Sequence, residues 1–91
     1  MPKELILSGI VQGVFCRYYC SQNAKILGIR GSASNLRDGT VRVLLDCDDE
    51  DQIQEYAQAL KNNPYDIRFY GKIQSITIRD FQGRITGDYQ F

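Results

Sequence analysis

The stretch Gly9-Ile10-Val11-Gln12-Gly13-Val14-Phe15-Cys16-Arg17 decides how the rest of the chain is read. Upstream of it, residues 4–11 carry the apolar run Leu5 to Val11 and read as a first strand. Downstream, the apolar positions Cys16, Cys20, Ala24 and Leu27 fall on one face of a helix, and Gly28 suits its C-terminal cap. The hydrophobic period therefore changes from that of a strand to that of a helix across a few residues, and an arginine stands where the helix begins. A loop of this kind, held open by a glycine, can turn successive backbone N–H groups toward one point. The helix N-terminus adds unpaired amides and a partial positive charge. Arg17 adds a planar fork of donors matched to pairs of oxyanion oxygens.

Outward from this stretch, residues 30–35 and 40–47 read as two strands, with Asp38-Gly39 marking the hairpin between them. Asp48 and Asp49 are candidate N-caps of a second helix whose inner face is Ile53, Tyr56, Ala57 and Leu60, and Asn62-Asn63-Pro64 ends it. Tyr70 to Asp80 contains a fourth strand, with Ile73, Ile76 and Ile78 among its apolar positions, and Asp88 to Phe91 forms a short terminal one. The order β-α-β-β-α-β plus a terminal strand predicts an α+β, ferredoxin-like split β-α-β sandwich. Both helices are expected on one face of an antiparallel sheet, in a single domain over residues 1–91.

Composition narrows the chemistry. Eleven basic residues balance eleven acidic ones among 91, and 43% of the chain is hydrophobic, enough for a modest core. A neutral chain lacks the electrostatic footprint of a nucleic-acid binder, and strands one and three carry no aromatic residue on which bases could stack. The start Met1-Pro2-Lys3-Glu4 lacks the apolar core of a signal peptide, and no apolar run approaches membrane-spanning length. No membrane partner and a cytoplasmic location are the expectations. There is no histidine, so histidine acid–base chemistry and histidine metal ligation are unavailable. Cys16, Cys20 and Cys47 are odd in number and make no metal pattern, as befits reduced thiols.

Gly-x-Val-Gln-Gly-Val-x-x-Arg (Gly9 to Arg17), then Leu27-Gly28, then Asn35-Leu-x-Asp-Gly-Thr-Val41 in that order, resembles the acylphosphatase family. The resemblance implies hydrolysis of the carboxyl–phosphate bond of a small-molecule acyl phosphate, with inorganic phosphate as a product. It implies that Arg17 binds the phosphate oxygens and that Asn35 holds the attacking water through its side-chain amide. Backbone amides of Gln12, Gly13, Val14, Phe15 and Cys16 would complete the cradle. No cofactor and no metal are expected, because a carboxylate leaves without being protonated and the remaining task is positioning and charge stabilisation. A monomer is expected. The alternative is a non-catalytic anion-binding or interaction module that keeps the cradle.

Other readings of the same residues are weaker. Cys16 precedes Arg17 and could suggest a thiolate nucleophile, but it shares the apolar stripe with Cys20, Ala24 and Leu27, as a small buried hydrophobe does. A cysteine phosphatase would need its cysteine several residues ahead of the arginine, and none precedes Cys16. The acidic run from Asp46 to Asp51 lacks the spacing and the glycine of a calcium loop, and acids suit a helix N-terminus. Three positions depart from the family pattern: Cys16 stands for an aromatic residue, Ser32-Ala33-Ser34 for a bulkier strand, and Asp46-Cys47-Asp48 for a glycine-containing turn. The first two are expected to thin the packing behind Arg17 and Asn35.

Overall fold

A computed structural model describes residues 1–91. Strand β1 (Lys3–Ile10) leads through the loop into helix α1 (Cys16–Leu27), followed by β2 (Gly31–Asn35) and β3 (Val41–Leu45). Helix α2 (Glu50–Asn62), β4 (Lys72–Asp80) and a two-residue β5 (Tyr89–Gln90) complete the chain. The strands form one sheet in the order β4-β1-β3-β2-β5, every neighbouring pair antiparallel. Two helices lie on this antiparallel five-stranded sheet, as the sequence predicts.

Register explains the core. Leu5 stands between Val43 and Ile78, Leu7 between Val41 and Ile76, and Ala33 opposite Val43. With side chains alternating along each strand, these residues share the face that meets the helices. There they bury against Cys16, Tyr19, Cys20 and Ala24 of α1 and Ile53, Tyr56 and Leu60 of α2. The buried face of α1 is wider than its four-residue stripe: Tyr19 and Asn23 are fully buried, while Leu27 only packs at the margin. Two phenols stitch the helices together. Tyr19 Oη donates to the carbonyls of Ala59 and Leu60 at 3.0 and 2.7 Å, and Tyr56 Oη donates to that of Cys20 at 2.9 Å. A buried tyrosine needs such partners, since an unpaired hydroxyl in a core is costly.

The caps follow from sequence. Asp49, not Asp48, caps α2, accepting from the N–H groups of Asp51 and Gln52. Gly28 adopts φ 72°, a left-handed turn closed by its N–H on the Lys25 carbonyl at 3.2 Å. Between β2 and β3, Asp38 Oδ1 accepts from both the N–H and the hydroxyl of Thr40, which holds its carboxyl below the usual range. At the far end of the sheet, Lys3 joins Asp80 of β4 and Glu50 at the start of α2.

Candidate active site

The loop between β1 and α1 has an unusual backbone. Gly13 has φ 74° and Phe15 has φ 65°, while the residue between them stays at negative φ. Alternation of this kind turns consecutive N–H groups to the concave side of a loop. For a bulky residue such as Phe15 the left-handed conformation costs roughly 1–2 kcal/mol, the sort of strain found at functional sites. Phe15 is also the N-cap of α1 and supplies no side-chain cap. The N–H groups of residues 12–15 are not used in any backbone hydrogen bond of the loop. Donors, a helix terminus and an open concavity coincide.

A hollow of about 330 Å³ lies at this point. Gly13, Phe15, Cys16 and Arg17 line it from the loop and α1, and Asn35 lines it from the end of β2. Arg17 and Asn35, 18 positions apart in sequence, thus face one space. The Arg17 side chain is 41% exposed, so its guanidinium reaches solvent and any ligand. Gln12 and Val14 do not line the hollow. The Gln12 side chain instead donates to the carbonyls of Leu36 and Thr40 at 2.7 and 2.9 Å, fastening the loop to the turn that follows Asn35. Val14 packs against the core, and its carbonyl accepts from Tyr70 N–H at 3.1 Å.

Two further residues, one behind the hollow and one lining it, were invisible to sequence reading. Asp88 Oδ2 accepts the backbone N–H of Asn35 at 3.1 Å and stands 3.5 Å from Arg17 Nη1. Tyr89 supplies a further wall. Both belong to the terminal segment, where only a short strand was legible. That segment is anchored by the serines expected to weaken the site: Ser32 Oγ donates to the Thr86 carbonyl, and Ser34 Oγ accepts from Asp88 N–H. Small hydroxyl side chains in β2 thus hold the segment that carries Asp88 into β5. Cys16 is buried, with its Sγ 4.0 Å from that of Cys20, and this neighbouring thiol together with burial holds the Cys20 thiol well above its ordinary range. The acidic run is accounted for locally: Asp49 caps α2, and Asp48 pairs with the N-terminal ammonium at 3.8 Å.

The sequence model of the Acylphosphatase family matches residues 3–90. An acylphosphatase from Vibrio vulnificus is 38% identical over 82 residues, covering 89% of this chain and 90% of the relative. One from Lactococcus lactis is 40% identical over 58 residues, 64% of this chain and 60% of the relative. The crystal structure of acylphosphatase from Bacillus subtilis superposes with a TM-score of 0.72 at 26% identity, over 94% of this chain and 93% of that one. An acylphosphatase structure from Coxiella burnetii gives 0.71 at 22% identity, over 91% and 82%, and shows the fold.

Proposed function

The chain belongs to the acylphosphatase family, and from that premise we propose how its residues hydrolyse an acyl phosphate. The protein is a hydrolase, cleaving the carboxyl–phosphate bond to a carboxylate and inorganic phosphate. The observation that carries the site assignment is the meeting of Arg17, Asn35 and the unpartnered amides of residues 12–15 in one hollow.

The Arg17 fork binds two phosphoryl oxygens, and the loop amides with the α1 N-terminus bind the rest. This arrangement opposes the negative charge that spreads over the equatorial oxygens in the transition state. The Asn35 side chain both donates and accepts, so it holds a water without bringing a second negative charge near the phosphate. The water oxygen attacks phosphorus as the bond to the acyl oxygen breaks. The bonding pair leaves with the carboxylate, and the water's proton ends on the inorganic phosphate. Because the leaving carboxylate is stable unprotonated, neither histidine nor metal is required. Residues 1–91 act as one domain. A monomer working in the cytoplasm completes the reading, the location being the one that three unpaired thiols suit.

The test is phosphate release from acetyl phosphate at neutral pH, with a chelator present, for wild type beside Arg17→Ala. Wild type is expected to turn over without added metal, and Arg17→Ala to lose about 100-fold or more in kcat/KM. Activity that disappears with chelator and returns with magnesium would overturn the mechanism.

A further inference from the structure

Strand order leaves the two halves of the site without a direct tie. The strand that feeds the cradle, β1, and the strand that ends in Asn35, β2, lie on opposite sides of β3. Val41, the first residue of β3, pairs with Leu7 on one side and with Asn35 on the other. The loop must therefore reach across the end of β3 to face Asn35. No backbone hydrogen bond joins residues 11–15 to residues 35–40. Asn35 donates its N–H to Asp88 Oδ2 at 3.1 Å, and its side chain makes no hydrogen bond within the protein. The place of that side chain is set by the backbone around it.

Gln12 supplies the missing tie. Although the residue is exposed, its Nε2 donates to the carbonyls of Leu36 at 2.7 Å and Thr40 at 2.9 Å, 24 and 28 residues along the chain. These two carbonyls also close the turn after Asn35. That of Leu36 accepts from Gly39 N–H at 3.2 Å, and that of Thr40 from Leu36 N–H at 2.9 Å. Both hydrogens of one amide nitrogen are thus spent on this turn. A long exposed side chain gives up rotamer freedom to stand in one place, and two directed bonds offset that loss.

We infer that the Gln12 side chain is a positioning residue for the hydrolysis: it clamps the loop to the turn and so sets the reach from the phosphorus held by the loop to the water held by Asn35. The inference rests on the roles proposed above for Arg17 and Asn35. Attack needs the water oxygen about 3–3.5 Å from phosphorus, and a misplacement of about 1 Å can cost about 100-fold in rate. The clamp touches neither the phosphoryl group nor the water. Releasing it leaves the affinity of the cradle for phosphate in place and lowers turnover, because the fault is felt only when the water attacks. A neutral amide also suits the position, since it donates twice without placing a charge beside the cradle.

The experiment compares wild type, Gln12→Met and Gln12→Lys. It reads kcat and KM for acetyl phosphate, and the Kd of inorganic phosphate from the rise in melting midpoint. Methionine keeps the length of the side chain without its donors, and lysine puts several donors back on one nitrogen. Gln12 is exposed, so neither substitution opens the core, and melts without phosphate report folding. Gln12→Met is expected to lose about tenfold to 100-fold in kcat, with the phosphate Kd within about twofold of wild type. Gln12→Lys should turn over about fivefold or more faster than Gln12→Met at about 0.5 M salt, where its added charge is screened. An unchanged kcat in Gln12→Met would overturn the positioning role. So would a phosphate Kd that rises as much as kcat falls, or a Gln12→Lys protein no faster than Gln12→Met. Failure of wild type to hydrolyse acetyl phosphate at all would instead remove the assignment of Arg17 and Asn35 on which that role rests.

Discussion

Asp88 is the residue whose charge matters most beyond the cradle itself. Its carboxylate stands 3.5 Å from Arg17 Nη1 and fixes the backbone N–H of Asn35. Two effects compete. The ion pair steadies the guanidinium, while the negative charge opposes an incoming phosphate dianion. Both partners are about half exposed, so the pair contributes little to holding Arg17 in place. Repulsion acts on a doubly charged ligand and is the larger effect. Asp88→Asn keeps an acceptor for the Asn35 amide and removes the charge. Inorganic phosphate is therefore expected to inhibit Asp88→Asn at about threefold lower concentration than wild type, a difference of about 0.6 kcal/mol that shrinks as salt is raised. Weaker inhibition would mean that steadying Arg17 dominates.

At the scale of elements, α2 tests whether local signals carry local stability. Asp49 satisfies two orphan N–H groups of its first turn, so Asp49→Ala should destabilise the protein by about 1 kcal/mol in urea unfolding, with acetyl phosphate hydrolysis unchanged at low temperature. An unchanged midpoint would show that tertiary packing alone holds the helix. The same element shows why so much of the fold could be read from sequence. Capping acids, the Gly28 stop and the apolar stripes act within a few residues of themselves, and each element agreed with its neighbours. The loop and Arg17 were legible for the same reason, as was the turn after Asn35. Contacts across long sequence separations were not. Gln12 was read for its amide, whereas its side chain reaches the carbonyls of Leu36 and Thr40. Asp88 meets Arg17 only because β5 joins the free edge of β2, and a two-residue strand carries almost no pattern. Ser32 and Ser34 looked like lost packing because their partners lie more than 50 residues away.

For the molecule as a whole, pH is the sharpest probe of the core. Burial pushes the Tyr19 hydroxyl up to about 12 and holds that of Tyr56 well above its ordinary 10.0, while the Cys16 thiol and burial raise Cys20 well above its ordinary 9.0. In the unfolded chain these groups lose protons from about pH 9 to 10. The folded chain keeps them, so over that range the unfolded state binds fewer protons and stability falls as pH rises. Thermal melts should show a decline beginning near pH 9 that Cys20→Ser moves toward pH 10, although that variant starts about 1–3 kcal/mol weaker from its buried hydroxyl. On the acid side, Asp38 and Asp80 are held below 3.8, so their contribution is present above that value and lost as pH falls through the lower folded values. The same melting measurement reaches the site, because a ligand that binds only the folded protein raises its midpoint. Phosphate at about 100 times its Kd adds about 2.7 kcal/mol. Melting wild type, Arg17→Ala and Asn35→Ala with and without inorganic phosphate separates binding from water activation without any turnover. Phosphate should stabilise wild type and Asn35→Ala alike and leave Arg17→Ala unmoved, with both variants inactive; stabilisation of Arg17→Ala equal to that of wild type would place the phosphate somewhere other than the loop between β1 and α1.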